Sequence, residues 1–387
     1  ETPHFCYYDS GNSDLKYAVF DGSSWAFTHV DGYANDQVTG AIDADVGKYC
    51  SIALDSNDMP RISYYDATNG NLRFAAFDGN GWTSEIVDDF GDVGTDTSLA
   101  ISSNGTPHIS YYGEGSNDTI VLYYTYKINN SWGLQALDDV GDLQHSPTGA
   151  QTSIVLTNDF ASISYYDAVD GDLEFFWEDD DSWHWETIDS DGLVGTFSSH
   201  IIDGDGAPHI SYYDETNGAL KYASFVPSLD EWANNTLDDE GDTGLYTSIA
   251  FNEEDDVGIS YFYSTNGSLK YIVLEPNQWN EYTIDTVNRV GEYSSLAIDS
   301  TGEIYVAYYD NTAAVLKLAC NTCNFTDSGG SSGGSDGDND GVEDSMDDCP
   351  DGDSGWTSDP LTTDYDQDGC RDATEDDDDD NDGIDDG

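Results

Sequence analysis

The chain has 387 residues and a formal net charge of −69, from 79 acidic side chains against 10 basic ones. Nucleic-acid binding requires clustered Lys and Arg, so it is nearly excluded, and an anionic membrane surface is disfavoured for the same reason. No apolar run approaches the roughly 20 residues of a membrane span. The repulsion between so many carboxylates requires bound Ca²⁺, high external salt, or both.

A short motif with two adjacent Tyr residues recurs along most of the chain, and Pro208–Asp214 (PHISYYD) is a full copy. Its seven copies occupy residues 3–9, 60–66, 107–113, 161–167, 208–214, 257–263 and 304–310. Successive copies are 57, 47, 54, 47, 49 and 47 residues apart. A near-constant period of this size is typical of a repeat architecture.

Each period contains four short runs with the composition of β-strands. Around residue 210 these are Ser198–Ile202, His209–Tyr213, Leu220–Phe225 and a run from Trp232 to Asp238. Tyr, Ile, Val, Phe and Trp enrich the runs, and Asn-Gly or Asp-Gly pairs fill the gaps, as in antiparallel strands joined by tight turns. Four strands per repeat predict an all-β chain folded as a β-propeller.

The count of runs leaves the closure of the ring open. The Tyr-Tyr and Leu-Lys-Tyr runs occur seven times, whereas the run before the Tyr-Tyr motif and the run that begins with Trp occur six times. We therefore predict seven blades, two strands short, with six blades as the alternative. Either residues 32–46 supply one strand, or strands from the two ends pair to close the ring.

The residues that define the repeat have structural explanations. Trp and Tyr rings are expected to pack between blades, with the Tyr hydroxyls at the edge. His108 and His209 are predicted to be turn or edge residues, because no second His recurs at a fixed offset. An Asp follows the Tyr-Tyr pair in five copies and precedes a Gly-containing turn. Its carboxylate can accept hydrogen bonds from the backbone N–H groups of that turn. The five residues are Asp9, Asp66, Asp167, Asp214 and Asp310.

The loop that joins one unit to the next is acidic. Copies occur at Asp88–Asp92 (DDFGD), Asp138–Asp142 (DDVGD) and Asp238–Asp242 (DDEGD), with a looser copy at 189–195. Repeated around a ring, these loops form an acidic circle on one face. The carboxylates either cap their own turns or gather cations, and both interpretations stay open.

With its short strands, Asp/Gly turns and blade Trp, the unit resembles the repeats of sialidase-like and other lectin-like propellers, over about residues 1–320. Sialidases also need a cluster of arginines that holds the substrate carboxylate. This chain has only Arg61, Arg73, Arg289 and Arg371, and the last lies outside the propeller. We therefore expect a non-catalytic propeller.

The composition changes after Cys323. Ser328–Ser335 (SGGSSGGS) is predicted to be a flexible linker between a propeller at 1–327 and an acidic tail at 336–387. The tail fits two twelve-residue Ca²⁺ loops and the start of a third, with carboxylates at positions 1, 3 and 5, Gly at 6, a backbone carbonyl at 7, and acids at 9 and 12. The predicted ligands are Asp336, Asp338, Asp340, the Val342 carbonyl, Asp344 and Asp347; Asp364, Asp366, Asp368, the Cys370 carbonyl, Asp372 and Glu375; and Asp378, Asp380, Asp382, the Ile384 carbonyl and Asp386.

These spaced Asp residues, followed by Asp347-Asp348-Cys349-Pro350, resemble thrombospondin type-3 repeats over residues 336–387. The resemblance implies a rod wrapped around calcium, with little hydrophobic core and with disulfides, for which Cys349 and Cys370 are the natural pair. The alternative is a disordered acidic tail, which the segment would become without Ca²⁺.

The even number of Cys residues, six, predicts disulfides and an extracellular location, secreted or at the cell surface. In the propeller, Cys6 pairs either with Cys320 or Cys323, which would lock the ring, or with Cys50, which leaves Cys320 to pair with Cys323. A zinc site at Cys320 and Cys323 is not expected, because no second Cys or His pair is near.

Three classes of function remain to be weighed. No Ser/His/Asp order, phosphate-binding loop or His-rich metal centre stands out, so no enzyme is expected. A Tyr- and Trp-rich propeller with Asp and Asn loops suits carbohydrate recognition, with avidity from repeated sites. The leading hypothesis is an extracellular, calcium-binding protein for cell adhesion or lectin-like binding, with glycans or cell-surface proteins as partners. The alternative is a homo-oligomeric subunit of a calcium-dependent filament or surface layer.

Overall fold

The computed structural model describes residues 2–321, apart from residues 21–23, 33–43, 117, 143–150, 181, 253–255, 276 and 277. All regular secondary structure in these residues is β-strand, and the strands form seven antiparallel sheets in chain order. The predicted all-β, seven-bladed propeller is confirmed. In this part of the chain, no helix is long and apolar enough to cross a membrane.

Each sheet is one blade of the propeller. Blade 1 contains β1 (His4–Asp9), β2 (Asp14–Phe20) and β3 (Trp25–Asp31), and blade 2 contains β4 (Val46–Leu54), β5 (Pro60–Asp66), β6 (Asn71–Phe77) and β7 (Trp82–Asp88). Blade 3 contains β8 (Val93–Ile101), β9 (Pro107–Glu114), β10 (Thr119–Ile128) and β11 (Ser131–Asp142), and blade 4 contains β12 (Ser153–Thr157), β13 (Phe160–Asp167), β14 (Asp172–Glu178) and β15 (Trp183–Asp189). Blade 5 contains β16 (Val194–Ile202), β17 (Pro208–Asp214), β18 (Ala219–Val226) and β19 (Glu231–Asp238). Blade 6 contains β20 (Thr243–Phe251), β21 (Val257–Tyr263), β22 (Ser268–Glu275) and β23 (Gln278–Asp285), and blade 7 contains β24 (Val290–Ile298), β25 (Ile304–Asp310) and β26 (Val315–Cys320).

The innermost strands, β4, β8, β12, β16, β20 and β24, contact one another in order around the ring. Among the described residues, blade 1 lacks this strand and blade 7 lacks the outermost one, which accounts for the two missing runs. Tyr49 of β4 interacts electrostatically with Tyr293 of β24, so the first and last inner strands lie near each other. Most of the segment considered as an extra strand, residues 33–43, lies outside the described residues.

Most inner strands begin four residues earlier than predicted, because a Gly that reads as a turn residue belongs to the strand. Gly94, with a φ of +104°, is an example: a Cβ atom there would lie 2.7 Å from the Cα of Leu72 in the preceding blade. Only Gly permits both this backbone conformation and this close approach. The equivalent residues Gly47, Gly195, Gly244 and Gly291 meet the same restriction.

In blades 2 to 6, the Trp at or near the start of the outer strand packs against the blade before it. Trp183, for example, contacts the Tyr124 ring edge-on, with 5.0 Å between ring centroids. Four further pairs have centroid distances of 5.1–5.6 Å: Tyr17–Trp82, Phe74–Trp132, Phe175–Trp232 and Tyr222–Trp279. The predicted packing of aromatic rings between blades is confirmed.

A side-chain latch joins the second strand of one blade to the first strand of the next. It is a hydroxyl pair at Ser63–Thr97, Ser110–Thr152, Ser164–Ser198, Ser211–Thr247 and Ser260–Ser294. Between blades 1 and 2, the equivalent positions are Cys6 and Cys50, which form a disulfide with their Cα atoms 6.2 Å apart. Of the two open pairings for Cys6, the structure therefore selects Cys50. Cys320 is also disulfide-bonded, while Cys323 lies outside the described residues.

Candidate functional site on the axis of the propeller

The predicted metal ligands all belong to residues 336–386, which lie outside the described residues, as do the linker and the Cys349–Cys370 pair. In the described part of the chain, no group of three His, Cys, Asp or Glu side chains is arranged to hold a metal ion. The predicted turn or edge histidines pair with Tyr hydroxyls near the start of their strands. The distance from His108 Nδ1 to the Tyr124 hydroxyl is 2.7 Å, and His209 contacts Tyr222 in the same way.

The Asp after each Tyr-Tyr pair caps a turn, as predicted. Asp66 accepts the backbone N–H of Asn69 at 3.0 Å, and Asp167 accepts that of Val169 at 2.7 Å. Asp9, Asp214 and Asp310 accept equivalent backbone bonds. In each of these five residues, the Oδ1 oxygen of the carboxylate caps the turn.

The first Asp of each joining loop fastens two blades together. One oxygen of Asp238 accepts the backbone N–H of Glu240 at 3.0 Å, and the other accepts the Tyr261 hydroxyl of the next blade at 2.9 Å. The same Tyr–Asp bond recurs at Tyr64–Asp31, Tyr111–Asp88, Tyr165–Asp138, Tyr212–Asp189 and Tyr308–Asp285. The expectation that Tyr hydroxyls lie at the edge was therefore wrong for the first Tyr of the motif in blades 2 to 7. For Asp88, Asp189 and Asp238 the capping interpretation is confirmed, because each accepts a backbone N–H of its own turn.

A basic side chain joins this Tyr–Asp pair in several blades. Lys270 Nζ lies 3.0 Å from Asp238, and Lys317 Nζ lies 2.9 Å from Asp285. Burial alone would raise the pKa of Asp285, but its backbone and side-chain hydrogen bonds, including that from Lys317, hold it below the ordinary value. Part of the acidic circle is thus neutralised by the protein's own side chains.

At the centre of the ring, one position of the inner strands carries a large or acidic residue in the left-handed backbone region. The φ angles are 54° at Tyr49, 49° at Asp96, 56° at Phe197, 53° at Tyr246 and 56° at Tyr293. The position lies in a bulge, where pairing with the second strand shifts register, as between Lys48 and Ser51. We call these five residues the axial cluster.

The left-handed conformation costs each of these residues about 1–2 kcal/mol, so something must hold it. The next blade does so. The Phe197 carbonyl accepts the Thr247 hydroxyl at 2.9 Å, and the Tyr246 carbonyl accepts the Ser294 hydroxyl at 2.7 Å. Because the carbonyl is turned toward the neighbouring blade, the side chain is left free to approach the other members of the cluster.

The axial cluster forms a continuous group of side chains. Ring centroids are 4.5 Å apart for Phe197 and Tyr246 and 4.6 Å apart for Tyr246 and Tyr293. Tyr49 interacts electrostatically with Tyr293 on one side and with Asp96 on the other. Phe197 is buried, but Tyr49 is 49% exposed and Tyr293 is 62% exposed. The cluster therefore presents aromatic surface to solvent.

Residues of the joining loops stand beside the axial cluster. The Tyr65 ring is 6.1 Å from Tyr49, and its hydroxyl donates to Asp92 at 2.6 Å. Tyr213 is placed in the same way, next to Phe197 and bonded to Asp242 at 2.6 Å. The cluster is thus bordered by hydroxyl and carboxylate groups on the face that carries the acidic loops.

Asp96 gives the cluster a titratable group. Burial raises the pKa of its carboxyl to about 7. Burial, followed by the charge of Asp96, also raises the pKa of Tyr49, which therefore keeps its hydroxyl proton at neutral pH. Near pH 7 the site offers exposed rings, a hydroxyl donor, and a carboxyl group that can accept or donate a hydrogen bond.

The sequence pattern does not predict the axial cluster, because it places the start of each inner strand one residue after these positions. A signal was available. Each residue of the cluster follows a Gly of the inner strand by two positions, as Tyr49 follows Gly47 and Tyr293 follows Gly291. Aligning the repeats on this Gly would have placed the five side chains at one position of the ring.

The arginines considered for a sialidase-like site lie apart in the described residues. Arg61 pairs with Asp55 at 2.6 Å, and Arg73 lies 3.3 Å from Asp31. The Arg289 guanidinium pairs with Glu292 and lies 4.8 Å from the centre of the Phe262 ring. Each of the three therefore has its own carboxylate partner.

Comparison with solved structures finds chains that resemble this one. The chain resembles a protein of unknown function from Dyadobacter fermentans DSM 18053, with a TM-score of 0.51 and 14% identity over 70% of this chain and 93% of that one. It also resembles AofleA from Arthrobotrys oligospora, with a TM-score of 0.50 and 13% identity over 76% of this chain and 90% of that one. A leech intramolecular trans-sialidase is similar at a TM-score of 0.46 and 11% identity, over 83% of both chains. No protein-family model and no curated protein matches the chain. At these identities the first two likenesses show the fold alone.

Proposed function

We propose that the protein is an extracellular carbohydrate-binding propeller that uses the axial cluster to bind glycans without cleaving them. The observation that carries the proposal is the exposure of Tyr49 and Tyr293 at the centre of the ring, on a strained backbone. Strained positions that a fold maintains in several repeats are typical of sites where a side chain must be aimed. The Cys6–Cys50 disulfide supports folding outside the cytosol.

The chemistry of the cluster suits a sugar. The flat Tyr rings can stack on the apolar face of a pyranose, and their amphipathic character suits a ligand that is part apolar and part polar. Asp96 and the neighbouring Asp92 supply groups for hydrogen bonds with hydroxyls of the sugar, which would fix its orientation. The acidic border disfavours anionic sugars, so we expect neutral or cationic ones.

The tail completes the proposal. We propose that residues 336–387 bind Ca²⁺ through the carboxylates and carbonyls identified above, and that this ion binding supports a role in adhesion at a cell surface. Carboxylate-rich loops with a central Gly favour this ion. If chelation by EGTA leaves the hydrodynamic radius unchanged, this part of the proposal fails. If Ca²⁺ instead causes reversible polymerisation, the filament alternative is favoured.

The glycan proposal is tested with a glycan array, followed by titration calorimetry with the strongest hit. We expect Tyr49→Ala and Tyr293→Ala each to weaken binding at least about tenfold, because truncating a central aromatic contact of an interface often costs about 2 kcal/mol or more. Tyr282→Ala is the matched control, since Tyr282 is 52% exposed on an outer strand and should leave affinity unchanged. An array without hits, or equal affinity for all variants, would overturn the proposal.

A further inference from the structure

The third strand of each blade has one position at which blade 4 differs in charge from the others. It follows a Leu near the start of the strand and is occupied by Lys16, Arg73, Tyr123, Glu174, Lys221, Lys270 and Lys317 in blades 1 to 7. Five blades thus carry a basic residue there, blade 3 carries a neutral one, and blade 4 carries an acid.

In blades 2 and 7, the basic residue bridges two carboxylates from different blades. Lys317 Nζ lies 2.9 Å from Asp285, at the end of the preceding blade, and 3.5 Å from Asp310 in its own turn. Arg73 lies between Asp31 and Asp66 in the same way, at 3.3 and 3.4 Å. One positive charge therefore sits between two acids at the junction of two blades.

Blade 4 retains both acids but replaces the cation with Glu174. The acids are Asp138, at the end of the preceding blade, and Asp167, which caps the blade's own turn. Both interact electrostatically with Glu174. The junction of blades 3 and 4 therefore holds three carboxylates. The equivalent junctions at Arg73 and Lys317 hold two carboxylates and a guanidinium or ammonium group.

Glu174 is only partly satisfied by the protein. It is 6% exposed, and its Oε1 atom accepts the Thr187 hydroxyl at 2.7 Å. Its buried Oε2 atom has no hydrogen-bond partner. Burial, followed by the charges of Asp167, Asp172 and Asp138, raises the pKa of Glu174 to about 7. A buried, unpaired oxygen among like charges is costly unless something binds it.

We propose that blade 4 binds a hard cation, Ca²⁺ in the first instance, between Asp138, Asp167 and Glu174, in the place that a basic side chain takes in five other blades. Carboxylate oxygens are the ligands that Ca²⁺ prefers, and its six to eight coordination positions admit water. The three side chains do not already converge at metal-binding distance. The ion therefore draws them inward and keeps part of its water shell. This site is independent of the glycan site and of the tail.

The test is the Ca²⁺ stoichiometry of the full chain, measured by equilibrium dialysis for wild type and Glu174→Lys. The Lys variant restores the arrangement of the other blades, so we expect one bound Ca²⁺ fewer per chain and a higher thermal midpoint in EGTA. Glu174→Gln, a milder change, should weaken that one site at least tenfold. Glu231→Lys is the control, because it makes the same charge change at an exposed position of β19 and should leave the stoichiometry unchanged.

The outcomes separate the three proposals. If Glu174→Lys and Glu174→Gln both bind as much Ca²⁺ as wild type, blade 4 holds no ion, Glu174 merely carries a proton, and the inference is overturned. The tail sites contribute equally to all variants, so they cancel in the difference. Glycan affinity should be the same in wild type and Glu174→Gln, because the axial cluster does not include this residue.

Discussion

The contacts between blades and the axial cluster are built on the same repeat, but they follow opposite rules. Between blades, one chemistry recurs: a Tyr hydroxyl donates to an Asp, and a Ser hydroxyl meets a Ser or Thr. In the axial cluster, one position holds Tyr, Asp or Phe. A contact that closes each blade against the next has to be repeated, whereas a side chain at the centre of the ring can differ between blades. The comparison separates residues that build the ring from residues available to a ligand.

The contacts between blades should be the more sensitive to mutation. Asp238→Ala leaves the buried Tyr261 hydroxyl without its acceptor and leaves the Lys270 ammonium group with Glu281 as its remaining partner. We expect the free energy of unfolding to fall by about 3–5 kcal/mol, the usual cost of breaking a buried ion pair. Urea unfolding measures it. Asp239→Ala, at the exposed neighbouring position, should change stability by less than about 0.5 kcal/mol. Equal losses in the two variants would contradict this assignment.

Replacing the disulfide tests whether Cys6 and Cys50 are equivalent to the hydroxyl pairs that form the latch between the other blades. Replacing Cys6 and Cys50 by Ala should cost roughly 2–4 kcal/mol of unfolding free energy, because the cross-link no longer restricts the unfolded chain. The pair Cys6→Ser and Cys50→Thr copies the latch of the other blades, so it should recover about 0.5–1.5 kcal/mol of that loss. The comparison is made by urea unfolding. No recovery would mean that the junction of blades 1 and 2 is not equivalent to the others.

A smaller effect is expected from pH, and it concerns the axial cluster. The pKa of Asp96 is about 7 in the folded protein, above the ordinary value of 3.8. The folded state therefore binds this proton more tightly than the unfolded state does. The contribution of the bound proton to the free energy of unfolding is lost as the pH rises through about 7. The titratable neighbours Tyr49 and Tyr112 stay protonated there, because their pKa values are raised.

The measurement is urea unfolding of wild type and Asp96→Asn from about pH 5 to pH 8, at constant salt and in EGTA. Stability of the wild type should fall more steeply with pH than that of the variant. His108 and Glu174 titrate in both proteins, so their contributions cancel in the difference. Parallel profiles would show that Asp96 is ionised throughout this range.

The sequence predicts the ring well, because the repeat is visible in strong local signals: the Tyr-Tyr runs, the Trp positions and the Asp-Gly turns. It misplaces the start of the inner strands because Gly94 and its equivalents serve close approach rather than turning. It left the partner of Cys6 open, although aligning the repeats sets Cys6 against Ser63 and Cys50 against Thr97, which are latch partners. Residue spacing alone does not reveal which strands of neighbouring blades touch.

The candidate sites were less accessible from sequence. A left-handed residue such as Tyr293 has no signature of its own, since this conformation is unusual for a bulky side chain. In the sequence, Glu174 is an ordinary strand residue. Its interaction with Asp138 becomes evident only when the preceding blade is placed beside it. Both sites depend on contacts between blades, which the period of the repeat does not specify.

The most direct test of the distinction between ring-building and ligand-binding residues compares Tyr293→Gly with Tyr308→Phe in urea unfolding and glycan titration. Gly relieves the left-handed backbone, so Tyr293→Gly should keep stability within about 1 kcal/mol of wild type and lose glycan affinity. Tyr308→Phe removes the bond to Asp285, so it should lose stability by roughly 1–3 kcal/mol and keep its affinity. If Tyr293→Gly keeps full affinity, or if Tyr308→Phe alone abolishes it, the distinction is contradicted.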